Sequence, residues 1–449
     1  MTTSSPRRDA GIPFILVAVF IDMLGMGLVF PVLPVLVGNF TASREAQSYW
    51  FGALAVSYGL MQFFCAPLLG ALSDRFGRRP ILITSIVGLG LHYLLLAIAP
   101  SLWVMLLARM IGGLTGASFS VANAYASDVT PPERRAAAFG QIGAVFGLGF
   151  ICGPMLGGLL GDISLHLPFQ VAAGFSLLNA AYGFFVVPES LPRDRRAPFS
   201  VAKANPFAAL VGLAQHREIG SLVAVYALFQ LAHMMLVQTW VLFTQFRLGW
   251  GPRENGVSMF CVGVVATAVG GFLLPRLLAY FGVERLALWG LASGIVSYLL
   301  YGLAQEGWMM FVIIFASFLT FATAPAIKGI VSRVSDPRAQ GVTMGALDAI
   351  SSLAAIGAPA IKGIVSRVSD PRAQGVTMGS LDAIGSLAAI VAPAIGMGLL
   401  ARVGDLPRSD WRIGSVFFLC AGLQTIAWWL ARRRIGRGVV VAEVTALAD

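Results

Sequence analysis

Apolar runs of about the length of a membrane span recur along this 449-residue chain, and short polar segments separate them. A helix that crosses the hydrocarbon core of a bilayer needs about 20 consecutive, mostly apolar residues. Here 57% of the residues are hydrophobic and only 12% are charged, whereas about 25% of the residues in a soluble domain are charged. The sequence therefore predicts an all-α polytopic membrane protein with twelve transmembrane helices, at residues 11–37, 48–69, 80–99, 101–126, 139–160, 168–188, 219–243, 255–275, 284–304, 307–327, 376–400 and 412–431.

Basic residues are concentrated on one side of these predicted spans. With the N-terminus in the cytoplasm, 24 of the 31 Lys and Arg residues fall in cytoplasmic segments, six fall outside and Arg109 falls within a span. Because basic residues resist translocation, this distribution predicts a cytoplasmic-membrane protein with both termini cytoplasmic. It also accounts for the net charge of +10 without a nucleic-acid partner. The first run contains Asp22 and no small-residue cleavage site follows it, so we expect a retained helix rather than a signal peptide.

A long polar segment rich in Pro and Arg separates two sets of six predicted spans. We therefore expect an N-terminal six-helix half at 1–188, a cytoplasmic linker at 189–218 and a C-terminal six-helix half at 219–449. Two parallel halves of six spans, related by an axis along the membrane normal, are one known way to build a transporter.

Motifs for ATP hydrolysis, metal binding and covalent catalysis are missing from the sequence. The three lysines do not follow a glycine, so the chain has no phosphate-binding G-x-x-x-x-G-K-[ST] loop. All four cysteines fall inside predicted spans, where packing is the expected role. We expect no cofactor, no metal and no enzymatic activity.

Residues 324–357 are repeated at 358–391 with three differences, namely Ala346 to Ser380, Ser351 to Gly385 and Gly357 to Val391. The stretch 341–361 is long enough for a thirteenth span, but basic clusters flank it on both sides. A span there would export one cluster and the arginine-rich C-terminal tail, against the usual charge bias. We therefore expect the extra unit, between helices 10 and 11, to stay cytoplasmic as an interfacial helix or hairpin. A recent tandem duplication or a sequence error explains the near-identity, and we expect the insert to be tolerated rather than functional.

Two glycine-containing motifs are candidates for gating and helix packing. The stretch "GALSDRFGRRP" at 70–80 is either a solvated turn or a latch in which the acid accepts hydrogen bonds from arginines or meets a helix N-terminus. The stretch "GFICGPMLGG" at 149–158 allows close helix approach. The candidate residues in these motifs are Gly70, Asp74, Arg75, Gly77, Arg78, Arg79, Gly149, Gly153, Pro154 and Gly157.

Charged residues inside predicted spans are candidates for the transport chemistry. An unpaired carboxylate at the depth of Asp22 is costly, and it either titrates, binds a cationic part of a substrate or forms a structural hydrogen bond. Arg109 keeps its charge and must pair, with Asp22 or with an electronegative cavity. Asp382 is either a second titrating acid or a solvated one. Weaker candidates, each also compatible with simple packing, are His92, Gln230 and His233.

Several stretches together resemble the tetracycline/proton antiporter family of the major facilitator superfamily: "DMLGMGLVFPVLP", "GALSDRFGRRP", "LARMIGGLTGA", "FGLGFICGPMLGG", "WVLFTQFRLGW" and "QEGW". The resemblance implies two six-helix halves, a breakable cytoplasmic latch at 70–80, a span 5 signature of antiporters, and exchange of a drug for a proton. Asp22, Asp74 and Arg109 match the family's positions. His92, Ala266 and Gly294 stand where the family has other polar groups, which leaves the substrate open.

The resulting functional hypothesis is proton-coupled export of a small amphipathic compound, with tetracycline as one candidate, by a monomer in the lipid bilayer. Its alternatives are a carrier of a metabolite or sugar and a non-transporting receptor or scaffold.

Overall fold

A computed structural model describes residues 11–116, 118–131, 135–196, 220–327 and 390–446, and every regular element in these ranges is a helix. Most of the predicted linker, nearly all of the duplicated stretch and the candidate Asp382 lie outside the described residues.

The described residues before the linker form eight α-helices: α1 (Gly11–Val29), α2 (Leu33–Gly38), α3 (Arg44–Phe76), α4 (Arg78–Ala97), α5 (Leu102–Thr115), α6 (Ser118–Val129), α7 (Arg135–Ile163) and α8 (Leu167–Val186). After the linker come α9 (Gly220–Leu248), α10 (Pro252–Ala268), α11 (Leu274–Leu303), α12 (Gly307–Ala316), α13 (Ile390–Val403) and α14 (Ser415–Ala446). A π-helical turn at Val269–Leu273 joins α10 to α11, and a 3₁₀ turn at Phe318–Ala322 follows α12.

By length and composition, eight helices among the described residues could cross a membrane. The pair Gly307–Ala316 and Phe318–Ile327, bent by 46°, makes a ninth if it counts as one span. Predicted span 4 falls on two shorter helices, α5 and α6, and predicted spans 8 and 9 share the helical stretch Pro252–Leu303, which is kinked at Gly282. The all-helical membrane architecture is confirmed, and twelve spans stay a prediction.

Large apolar side chains cover the outside of the helical assembly. Trp103, Phe185, Tyr280 and Trp308 are all more than half exposed. Exposed apolar surface on this scale is typical of a protein that contacts lipid or partners. This exposed apolar surface agrees with the high hydrophobic content of the chain.

Glycines bring α7 into close contact with α1. A Cβ at Gly149 would lie 2.9 Å from the Cβ of Met23, and a Cβ at Gly153 would lie 2.6 Å from the Cα of Gly27. A Cβ at Gly157 would collide with the carbonyl of Leu28. Small residues allow such backbone approach within a membrane. The glycine series of 149–157 thus fixes α1, which carries Asp22, against α7.

Candidate functional site

Asp22 lies near the middle of α1 and is 5% exposed. Its Oδ2 accepts a hydrogen bond of 2.6 Å from the Ser118 hydroxyl, and among the described residues its Oδ1 has no partner. Ser118 reaches it because the helix breaks after Thr115 and α6 begins again beside α1. An unsatisfied carboxylate oxygen in a buried site is costly, and a proton or water on Oδ1 relieves that cost.

A small cleft with a volume of about 10 Å³ opens onto this carboxylate, between α1, α4 and α6. Pockets that hold drug-sized ligands measure about 300–1,000 Å³. In this conformation the cleft therefore suits water or a proton rather than a drug. Its lining residues are Ala18, Val19, Asp22, Leu82, Ile86, Ser118 and Ala122.

Arg109 pairs with an aromatic ring and a backbone carbonyl rather than with a carboxylate, as far as the described residues extend. Its guanidinium lies 4.1 Å from the centre of the Tyr58 ring, and its Nε donates to the Leu54 carbonyl at 3.3 Å. Tyr93 lies beside α1, since a Cβ at Gly25 would come within 3.8 Å of its hydroxyl oxygen. The sequence suggested Asp22 or an electronegative cavity as the partner of Arg109; the structure instead places Arg109 against the Tyr58 ring, which sequence reasoning missed.

His92 belongs to the same cluster. The ring is buried, and its Nδ1 donates to the Ala108 carbonyl at 2.7 Å, since a carbonyl can only accept. The ring centre lies 4.9 Å from that of Tyr93 and 6.3 Å from that of Tyr58. The structure thus brings Arg109 and His92 together beside Tyr58, while Asp22 has Ser118 as its hydrogen-bond partner.

Gln230 and His233 are placed elsewhere. Both lie on α9, which packs against α14 and α2. Gln230 is buried, and the His233 ring stacks on Phe229 with the planes 7° apart and the centres separated by 6.2 Å. Both rings belong to α9, so this stacking is a contact within one helix.

A buried arginine connects the turn after α3 to the end of α6. Arg78 is 0% exposed, and its Nη1 lies 2.6 Å from Asp74 Oδ1 while its Nε lies 2.9 Å from Asp128 Oδ2. The Ser73 hydroxyl accepts a further bond of 2.7 Å from Nη1. Of the turn's other basic residues, Arg75 stacks on Phe76 and Arg79 on Phe184. Asp74 thus forms a buried ion pair, whereas the alternative from the sequence was a solvated turn.

A carboxylate from beyond α8 caps the N-terminus of α4. Glu189 Oε1 accepts from the backbone N–H of Arg78 at 2.9 Å, and Oε2 from that of Arg79 at 3.3 Å. Gly77 has φ 108°, and a Cβ there would collide with the Glu189 carboxylate. A negative group at a helix N-terminus is favourable because it meets unpaired N–H groups and the positive end of the dipole. Sequence reasoning missed Asp128 and Glu189; the acid three residues after the end of α8 was the available signal.

Contacts between the two halves lie at the end opposite this turn. The Arg44 backbone N–H donates to Asp405 Oδ1 and its guanidinium to the Gly404 carbonyl, each at 3.2 Å. The Gln47 amide donates to Gln245 Oε1 at 3.1 Å. These contacts join α3 to the loop after α13 and to α9, and so hold this end of the two halves together.

Two arginines of the second half, Arg247 and Arg412, make further polar contacts at this end. The Arg247 guanidinium donates to the carbonyls of Ala304, Arg408 and Asp410 at 2.6–3.0 Å. Hydrogen bonds from Arg412 hold the pKa of the partly buried Asp410 carboxyl below its ordinary value.

The glycines of α7, of α10 and of the π-helical turn after α10 show that α7 touches this second segment at one end and parts from it at the other. A Cβ at Gly256 would lie 3.0 Å from the Cα of Gly158, at the end joined by Arg44 and Gln47. At Gly147 and Gly270, nearer the turn after α3, a Cβ would meet nothing within 4 Å. The space between α7 and α10 therefore widens toward that turn.

Sequence comparison gives the class of protein that this fold and site belong to. The profile of the Major Facilitator Superfamily matches residues 15–359. The chain therefore belongs to the major facilitator superfamily and is a multi-pass membrane transporter of small molecules.

Within that superfamily, the chain is similar to tetracycline resistance proteins. It is 38% identical to the class C tetracycline resistance protein of Escherichia coli over 342 residues, which cover 76% of this chain and 86% of that protein. It is 33% identical to the class B protein of Escherichia coli over 342 residues, 76% of this chain and 84% of that protein. These relatives confirm the family that the motifs indicated.

The fold also resembles a solved transporter. The human organic anion transporter MFSD10 (TETRAN) superposes with a TM-score of 0.65 at 22% identity, covering 95% of this chain and 100% of that chain. At this identity the likeness concerns the fold alone.

Proposed function

We propose that the protein exports a small amphipathic compound in exchange for protons, by alternating access between two six-helix halves. The observation that carries the proposal is Asp22, a buried carboxylate on α1 with one oxygen held by Ser118 and the other unpaired among the described residues. Similarity to tetracycline resistance proteins makes tetracycline the first substrate to test.

The proposed topology has twelve spans with both termini cytoplasmic. The stretch Pro252–Leu303 has 52 residues, about twice the length of one span, and Gly282 interrupts its helix with φ 71°. Helices α5 and α6 follow each other across Gly116 as one broken span, and α13 supplies the described part of span 11. The charge bias then places the turn after α3 in the cytoplasm.

In this orientation the joined ends of the halves face the outside, and α7 and α10 part toward the cytoplasm. Such an arrangement admits substrate from the cytoplasm. When the halves rock, the contacts of Arg44 and Gln47 break and the outside gains access to the centre. The Arg78 ion pairs with Asp74 and Asp128 lie within the first half and hold together its cytoplasmic end, where we propose the latch.

Proton exchange at Asp22 drives the cycle. In the outward-open state a proton from outside forms an O–H bond at the free Oδ1, which removes the cost of a buried charge. The neutral site favours return to the inward-open state, where hydration withdraws the proton to the cytoplasm. Arg109 keeps its positive charge on the Tyr58 ring and leaves Asp22 free of a salt bridge with it.

Purified protein in proteoliposomes, with a pH-sensitive dye inside, tests the proposal. We expect tetracycline or another compound of a drug panel to move protons in the wild type. In Asp22→Asn, which keeps the shape and the Ser118 contact but cannot ionise, proton movement should fall at least about tenfold while gradient-independent substrate exchange persists.

Three outcomes decide between the alternatives. Transport that ignores the pH gradient rejects proton coupling, and transport of sugars or metabolites in place of drugs supports the carrier alternative. Absence of transport across the whole panel supports a receptor or scaffold. Full proton coupling in Asp22→Asn would move the proton site elsewhere, first to Asp382.

A further inference from the structure

The last helix leaves the membrane carrying two arginines on a rigid support. The apolar segment Trp411–Arg433 has 23 residues, about the thickness of a bilayer core, and α14 continues without interruption to Ala446. Arg432 and Arg433 close this segment and are both exposed. They therefore lie at the level of the lipid headgroups in the leaflet where α14 ends.

Tryptophans one turn earlier hold both guanidinium groups. Arg433 lies 3.6 Å from the ring centre of Trp429, and Arg432 lies 5.2 Å from that of Trp428. Trp429 is 45% exposed, so the stacked pair faces the surroundings of the protein rather than its interior. Tryptophan is enriched at the membrane–water boundary, which supports the same position along the membrane normal.

Stacking leaves the hydrogen-bond donors of these arginines unused. A guanidinium stacks through its face, whereas its five N–H donors lie in its plane. Among the side chains that the structure describes, neither arginine donates a hydrogen bond and neither has a carboxylate within 4.0 Å. Two fixed cations with their donors directed into the headgroup layer thus lack an anionic partner within the protein.

We propose that Trp428, Trp429, Arg432 and Arg433 form a binding site for the phosphate of an anionic phospholipid. A phosphodiester offers two acceptor oxygens that match the fork of a guanidinium, and its charge compensates the arginine pair. Arg434 and Arg437 follow in the sequence and add to the positive potential. The site is independent of the transported substrate and of the proton coupling proposed above.

Native mass spectrometry of the purified full-length protein tests the site. The protein is titrated with phosphatidylglycerol and, separately, with phosphatidylcholine of the same acyl chains. We expect tighter binding of phosphatidylglycerol, and a loss of about thirtyfold in its affinity in Arg432→Gln/Arg433→Gln, because each of the two basic residues near an anionic lipid surface contributes about 1 kcal/mol.

Two matched variants separate an organised site from diffuse charge. Arg276→Gln/Arg285→Gln removes two exposed arginines of α11 that stack on no described ring, and it should leave the affinity unchanged. Arg432→Lys/Arg433→Lys keeps the charge but loses the planar fork, and it should weaken binding severalfold. Equal losses in the two Gln variants, wild-type affinity in the Lys variant, or equal binding of both lipids would each overturn the proposal. The measurement uses no substrate and no gradient, so its failure leaves the transport proposal unaffected.

Discussion

Asp22 and Arg109 are the two charges that the sequence places deep in the first half, and the structure gives each a neutral partner. The Ser118 hydroxyl donates a hydrogen bond to Asp22, and the Arg109 guanidinium lies over the Tyr58 ring. The carboxylate is therefore not locked in a salt bridge with the arginine. A carboxylate held only by a hydroxyl can exchange its proton without breaking a buried ion pair, whose disruption costs about 3–5 kcal/mol.

Ser118→Ala should shift the pH dependence of proton-coupled transport. The hydroxyl donates to Oδ2 and so stabilises the ionised form of Asp22. Without it, the carboxyl keeps its proton to a higher pH, and the midpoint of the activity–pH profile should rise by about one unit, since a hydrogen bond to a charged group contributes about 1.5–3 kcal/mol.

The conservative Ser118→Thr variant keeps the hydroxyl and is the control. It should restore the wild-type profile in the same proteoliposome assay. A purely structural role for Ser118 predicts lower activity at every pH with an unchanged midpoint, and that result would contradict the assignment.

Helices α7 and α10 bring the backbones of the two halves into close contact. Gly158 and Gly256 face each other there, and a Cβ at Gly256 would also collide with the Pro154 carbonyl. Farther along α7, Gly147 faces open space. Helix α7 thus contains Gly158, where packing requires a glycine, and Gly147, where it does not.

Gly256→Ala should weaken this contact, whereas Gly147→Ala should not. The added methyl at 256 meets backbone on two sides, and overpacking of this kind costs about 1–3 kcal/mol. At 147 the substitution gains helix propensity, about 1 kcal/mol, without a clash. Thermal unfolding in detergent and export assays should show a loss only for Gly256→Ala. Equal behaviour of the two variants would mean that α7 and α10 do not pack as described.

At the scale of the whole molecule, the two halves are joined at one end through Arg44, Gln47 and the α7–α10 contact, while α7 and α10 part at the other. Residues 328–389, between Phe318–Ile327 and α13, lie outside the described part of the chain. The effect of these residues on the fold must therefore be tested by experiment, and the sequence repeat suggests a deletion.

Deletion of residues 324–357 should leave export intact and keep or improve expression. The second copy repeats the removed sequence with three differences and can supply the same connection to α13. A C-terminal reporter should be active only in the cytoplasm, with and without the deletion. Loss of transport would show that the repeat takes part in the mechanism, and a reporter active outside would contradict the twelve-span topology.

The sequence by itself determined the class of this protein. Runs of apolar residues in a chain with 12% charge leave few alternatives to membrane helices, because a backbone in lipid must satisfy its own hydrogen bonds. The motifs around Asp22, Asp74 and Arg109 indicated the family, and the comparisons confirm it. Periodicity and charge are local properties, so they can be read without knowledge of how the helices pack.

Only the tertiary structure decided which polar groups meet. Ser118 is 96 residues from Asp22, and Glu189 is 111 residues from the backbone N–H of Arg78 that it caps. Neither Ser118 nor Glu189 has a distinctive local pattern, because serine and glutamate serve many roles. Their function follows from the break after Thr115 and from the left-handed Gly77, which turn the helices so that these side chains reach their partners. A buried polar group must find its partner across helices, and that pairing exists only once the helices are packed.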